Sequence, residues 1–224
     1  MEFLKNYVIH SLKKTATVSP NGYGRISFES CITVEDSDFV GPVHYFGLSN
    51  SVPHDLVLPS IERLCLGSPI EGGIGPFMNY RLLSPKDQTI SMVATELSAQ
   101  STERIRAVLF EMTPPCPSGQ KIVYAWQWGF PHLYNTAPEE EDSSGFRCTV
   151  LIECLSLDIR FLHPRIGALV KFKEEPILTT TRTQTDAKTR KQAKAIETLN
   201  YLSYKWTIEE ARAGDQYVVG WRNA

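Results

Sequence analysis

The chain has 224 residues, 42% of them hydrophobic and 21% charged, with a formal net charge of −2. That is enough apolar material to bury a core without disulfide or metal staples. The near-neutral balance excludes wholesale disorder and a global positive field that would recruit nucleic acid. Five cysteines, an odd number in a chain of this size, read as free thiols in a reducing compartment. The opening MEFLKNYVIHSLKK lacks the basic start, apolar run and cleavage site of a secretory signal. No apolar stretch approaches the roughly 18 residues of a membrane helix. The sequence therefore predicts a cytoplasmic protein with no membrane association.

From Phe3 to Lys14 two patterns coexist. Leu4, Val8 and Leu12 align on one side of a short helix, whereas Tyr7-Val8-Ile9 starts a strand. Thr15 to Val18 is extended, and Asn21-Gly22 is a hairpin signal because both residues tolerate positive φ. In the next run Ile26, Phe28, Ile32 and Val34 share one face, and Arg25, Ser27, Glu29 and Thr33 the other, as in a half-buried antiparallel strand. Val43 to Leu48 is a short strand, and Ser60 can cap a helical turn through Ile61, Glu62 and Arg63. A glycine-rich loop, Gly67 to Pro76, precedes two strands, Asn79 to Leu83 and Thr89 to Leu97, joined at Ser84 to Gln88.

The sharpest signal lies between Arg104 and Asn135. Ile122, Tyr124, Trp126, Trp128 and Phe130 occupy every second position, which places five large side chains on one face of a strand. Before them Val108, Phe110 and Met112 alternate with Ile105, Ala107 and Leu109, a strand buried on both sides or nearly so. A Pro-Pro-Cys-Pro-Ser-Gly break separates the two runs. They form either a central hairpin or two strands of facing sheets.

Thr136 to Gly145, rich in acids and turn residues, reads as an exposed loop. Thr149 to Phe161 is a strand with Leu155, Leu157, Ile159 and Phe161 on one face; Ala168 to Lys173 and Ile177 to Thr185 are weaker strands. Asp186 to Leu199 is basic and thin in apolar residues, which predicts an exposed helix or a mobile excursion. The chain closes on a predicted hairpin. Leu202, Tyr204, Trp206 and Ile208 alternate in one arm, and Tyr217, Val219 and Trp221 in the other, around Arg212 to Asp215. The stretch from Tyr204 to Trp221 is similar to aromatic end hairpins of β-rich sensor or adaptor domains attached to bacterial effector proteins. That likeness covers the end of the chain alone and implies no catalytic residue.

Many short alternating runs with few convincing helices predict an all-β fold. The expected architecture is antiparallel β-sandwich, immunoglobulin-like, with long loops. Two tandem domains, 1–113 and 114–224, are the preferred division, with one enlarged sandwich as the alternative.

Sequence motifs for chemistry are few. There is no Gly-x-Ser-x-Gly elbow. Glu71 to Pro76 lacks the register, the lysine and the following helix of a phosphate loop. Cys148 and Cys154, an even number of positions apart on or near one strand, could join His132 and His163 around zinc, but no Cys-x-x-Cys pair supports this. Cys65 or Cys116 with His44, His54 or His132 could form a nucleophile and base, and Asp36, Asp38 or Glu139 to Asp142 a carboxylate pair. Isolated pairs of this kind are what any such chain offers. No catalytic residue, cofactor or metal ligand is therefore assigned. The expected function is a non-enzymatic intracellular module that binds a protein partner or a second copy, or senses a ligand, in a setting such as a bacterial effector system. Arg182, Lys188, Arg190, Lys191 and Lys194 are the candidate partner contacts. The alternatives are a hydrolase or metal-dependent enzyme assembled from scattered residues, and a nucleic-acid binder using the 188–194 segment.

Overall fold

The computed structural model of the chain describes residues 7–36, 39–48, 57–66, 75–85, 90–134, 137, 139–164, 170–182 and 187–224. The first half supplies β1 (Tyr7–Val18), β2 (Gly24–Val34), β3 (Val43–Gly47), a short helix α1 (Ile61–Leu66), β4 (Phe77–Ser84), β5 (Ser91–Glu96) and β6 (Ile105–Thr113). The second half supplies β7 (Lys121–Phe130), β8 (Glu141–Arg147), β9 (Ile152–Leu162) and β10 (Phe172–Thr181). It ends with β11 (Lys188–Gln192), β12 (Ala195–Glu197), β13 (Tyr201–Ala211) and β14 (Gln216–Asn223). The class is all-β, as the alternation predicts. Among the described residues no helix is long and apolar enough to cross a membrane.

A seven-stranded sheet in the order β12-β13-β9-β1-β2-β7-β4 forms one layer. Its pairs are antiparallel except β1 with β9. Lys14 is the register partner of both Phe28 and Leu157, and Phe28 that of Trp126, so these side chains share a face. Two smaller sheets cover that face. The three-stranded sheet β3-β6-β5 sets Phe46 and Phe110 against Trp126, with ring centroids 5.7 and 5.6 Å away. The four-stranded sheet β11-β10-β14-β8 sets Trp221 and Phe172 against Phe161, at 5.2 and 4.7 Å. The result is a sandwich-like arrangement in which one continuous sheet serves two covering sheets.

The ambiguous N-terminal stretch is strand where it is described. β1 and β2 form the hairpin expected at Asn21-Gly22, and Gly22 takes a φ of +77°. The two strands of the central stretch lie in facing sheets rather than in a hairpin: β6 pairs with β3 and β5, and β7 with β2 and β4.

Three expectations are corrected. The terminal hairpin does not form: β13 pairs with β9 and β12, and β14 with β10 and β8. Both strands turn aromatic residues to the core, and they do so from opposite layers. The acidic segment is only partly a loop, because Glu141–Arg147 is β8 and Asp142 is 5% exposed. Its polar composition suits an edge strand, which needs only one ladder neighbour. The basic segment is neither helix nor free excursion but two edge strands, β11 on β10 and β12 on β13. Ile196 and Leu199 anchor nothing and are exposed. Main-chain bonding holds this segment, together with the Trp206 indole N–H, which donates to the Lys191 carbonyl at 2.9 Å.

Trp126 is 2% exposed and stacks on Phe28 at 4.5 Å. Trp126→Ala is expected to lower stability by roughly 3–5 kcal/mol in denaturant titration, the range for a fully buried aromatic.

Candidate functional site

The outer face of the seven-stranded sheet is polar, and its register explains why a groove runs across it. Along the middle, Asp158 of β9, Thr15 of β1, Ser27 of β2, Gln127 of β7 and Asn79 of β4 are successive cross-strand partners. These are short or uncharged side chains apart from Asp158. On one side lie Arg160, Thr17 and Arg25, again in register. On the other lie Lys13, Glu29, Ala125 and Arg81. Small residues thus make a floor and long charged residues make two walls. The enclosed space is about 480 Å³. Thr15 and Thr17 are only 7% and 6% exposed although they sit on the outer face, which shows how far the walls stand over the floor.

Four cations line the groove together with one carboxylate, Glu29, and a second carboxylate, Asp158, ends the same cross-strand row and pairs with Arg160. Arg160 is fixed in place: its Nε and one terminal nitrogen donate to Asp158 Oδ2 at 3.0 and 2.7 Å, and its guanidinium lies 5.2 Å from the Tyr201 ring. Lys13, Arg25 and Arg81 form no ion pair with another described residue. Asp158 is 8% exposed, and its Oδ1, like Ser156 Oγ beside it on the same strand face, is buried and finds no partner among the described residues.

The sequence-level candidates are dispersed. Arg182, Lys188, Arg190, Lys191 and Lys194 are all exposed, the middle three on β11 at the rim of the four-stranded sheet. Arg190 borders a second groove, about 350 Å³, with Glu141, Glu174 and Glu175. Within the acidic run, Glu139 pairs with Lys173 at 3.2 Å, Glu141 bonds Arg222, and Asp142 accepts from the Ser143 amide at 2.7 Å. These carboxylates have structural roles. Asp38, His54, Asp186 and residues 71–74 of the glycine-rich loop lie outside the described residues.

All five cysteines are free thiols. Cys148 precedes β9 in the β8–β9 connection and is buried, whereas Cys154 lies on the strand and is partly exposed, so the two do not sit together on one strand. Burial, and then the charge of Asp215, push the Cys148 thiol up to about 12, which makes it a poor nucleophile. Among the described residues neither Cys65 nor Cys116 is bonded to a histidine: His132 is exposed, and His44 Nε2 lies 2.6 Å from the Tyr124 hydroxyl. Among the described residues no three His, Cys, Asp or Glu side chains converge on a metal position.

Two bases inside the sandwich, Lys14 buried and His44 half-buried, carry electrostatic consequences. His44 is boxed by Phe110, Tyr124 and Trp126, and desolvation lowers its pKa from 6.5 to about 4. Burial keeps the Tyr124 phenol protonated far above neutrality, and its hydroxyl shares a hydrogen bond with His44 Nε2 whose direction follows the histidine tautomer. Lys14 sits between β1 and β8, where its Nζ donates to Ser144 Oγ at 3.1 Å and to the Gly145 carbonyl; burial lowers its pKa from 10.5 to about 8.

No family model matches the chain, and no curated protein matches it. Among solved structures it is similar to "a putative protease" from Parabacteroides distasonis, with 8% identity over 96% of this chain and 40% of that one, at a TM-score of 0.49. The chain thus spans two fifths of that protein's length. It is also similar to the yeast delta-COP-I mu-homology domain complexed with a Dsl1 WxWxV peptide. There the identity is 12% over 98% of this chain and 76% of that one, at a TM-score of 0.20. At these TM-scores neither likeness bears on function.

The lowered histidine and lysine pKa values fix the sign of two pH effects. Between pH 4 and 6.5 the unfolded chain holds a proton on His44 that the folded protein refuses, so stability falls as pH drops through this window. The stability difference between wild type and His44→Gln is expected to shrink by about 3 kcal/mol over that range in urea titrations. For Lys14 the window is pH 8 to 10.5, and stability rises with pH across it. Lys14→Met is expected to remove a rise of roughly 3 kcal/mol.

Proposed function

We propose that this protein is a non-enzymatic interaction module that binds a protein partner across the outer face of its seven-stranded sheet. The observation that carries the reading is the groove itself, a walled polar trough on a rigid sheet with three cations free of ion pairs among the described residues. A sheet face holds its side chains at fixed spacing, which suits recognition of an extended surface more than chemistry at one point. The groove has no nucleophile–base pair, since its floor is hydroxyls and amides with no histidine or cysteine among the lining residues.

The basic edge formed by Arg182, Lys188, Arg190, Lys191 and Lys194 is proposed as a second contact. Every residue of β11 is exposed, and β11 has a ladder neighbour on one side only. Apart from the Lys191 carbonyl, which Trp206 takes, its outer edge offers main-chain donors and acceptors to an incoming strand. The cytoplasmic setting belongs to the same proposal, and five free thiols accord with it.

A photo-crosslinking residue placed at Ser27, at Lys188 or at the exposed Glu62 tests the reading in cells that make the protein. A protein adduct from Ser27 and none from Glu62 is expected, and an adduct from Lys188 as well would bring the basic edge into the same contact. Absence of adducts from both Ser27 and Lys188 would refute the interaction reading.

A further inference from the structure

Resting on the interaction reading, we infer that the groove's occupant is an extended acidic peptide segment, about six residues long, laid across the strands from β9 to β4. Four inter-strand steps of about 4.8 Å give a floor of roughly 19 Å, and an extended chain advances about 3.3 Å per residue. The cations are spread along two walls: Arg160 and Arg25 on one, Lys13 and Arg81 on the other. The four lie on four different strands, so a ligand that reaches all of them spans the groove. In an extended peptide lying on its edge, successive side chains point to opposite sides and reach both walls.

The floor fits a peptide main chain. Thr15, Thr17, Ser27, Gln127 and Asn79 each carry both donor and acceptor capacity, and none of these side chains is hydrogen-bonded to another described residue. A main-chain N–H and a main-chain carbonyl can each find a partner among them.

Single-stranded nucleic acid is the competing polyanion, and the rings decide against it. Binding of that kind relies on aromatic faces on which bases stack. Here Phe28, Trp126 and Tyr80 border the groove, yet their rings are engaged inside the sandwich: Phe28 and Trp126 stack on one another, and Tyr80 and Trp126 meet Phe110.

Fluorescence anisotropy with a fluorescein-labelled hexaglutamate peptide tests the inference, with hexalysine and a labelled oligothymidylate of equal charge as comparisons. Hexaglutamate is expected to bind, hexalysine not to, and added salt to weaken the complex. Arg25→Glu together with Arg81→Glu is expected to weaken hexaglutamate at least tenfold with little change in melting temperature, as exposed positions are tolerant. Should the pair of reversals disturb folding, Ser27→Trp, which fills the floor without changing charge, is expected to give the same loss. Failure of hexaglutamate to bind, equal binding by the variants, or tighter binding of oligothymidylate would overturn the acidic-peptide assignment. A Ser27 crosslink to a protein alongside any of those results would leave the interaction reading standing and remove only the acidic chemistry. Absence of adducts from both Ser27 and Lys188 would remove both.

Discussion

Register across the seven-stranded sheet is the constraint on which the molecule depends. Side chains alternate with a period of two, so a slip of one residue in any central strand would exchange its core face for its solvent face. Such a slip in β2 would carry Phe28 out from under Trp126 and bring Glu29 in. The same alternation that drives Ile122, Tyr124, Trp126 and Trp128 into the core sets Val123, Ala125 and Gln127 outward. Core and groove are therefore two products of one pairing pattern. Neither can be rearranged without the other.

Polar groups packed inside the sandwich mark where the two covering sheets attach. Lys14 reaches across to β8 through Ser144 and the Gly145 carbonyl, and His44 of β3 meets Tyr124 of β7. Each contact ties the large sheet to one of the smaller sheets. Both bases lie where desolvation favours the neutral form, and they supply direction to interfaces that are otherwise aromatic and without orientation of their own. Such bonds specify how layers face each other more than they add to stability.

Strands were legible in the sequence wherever alternation was strong, and the reason is local: Ile26 with Phe28, or Tyr124 with Trp126, fix a face within four residues. Pairing was less legible. Nothing in Leu202 to Trp221 says that its two arms belong to opposite layers, because an aromatic face looks the same from either side of a core. The groove shows the same limit. Arg25, Ser27 and Glu29 are visible as an outward face from the sequence alone. Their neighbours Asn79, Gln127 and Arg160 arrive from distant strands, through the order β9-β1-β2-β7-β4. The basic segment was read by composition, and composition gives exposure without conformation; the ladder to β10 supplies the conformation.

The parallel join between β1 and β9 has a consequence in time. Ile9 pairs with Ile152, so one side of β1 has no neighbour until well over a hundred further residues have been made. At about 5–20 residues per second that interval is on the order of ten seconds. Throughout it the nascent hairpin of β1 and β2 presents a long unpaired edge with an apolar face, the arrangement other chains pair with most readily. The centre of the finished sheet is thus its most vulnerable margin during synthesis. Contacts this distant in sequence also make folding slow for a protein of this size.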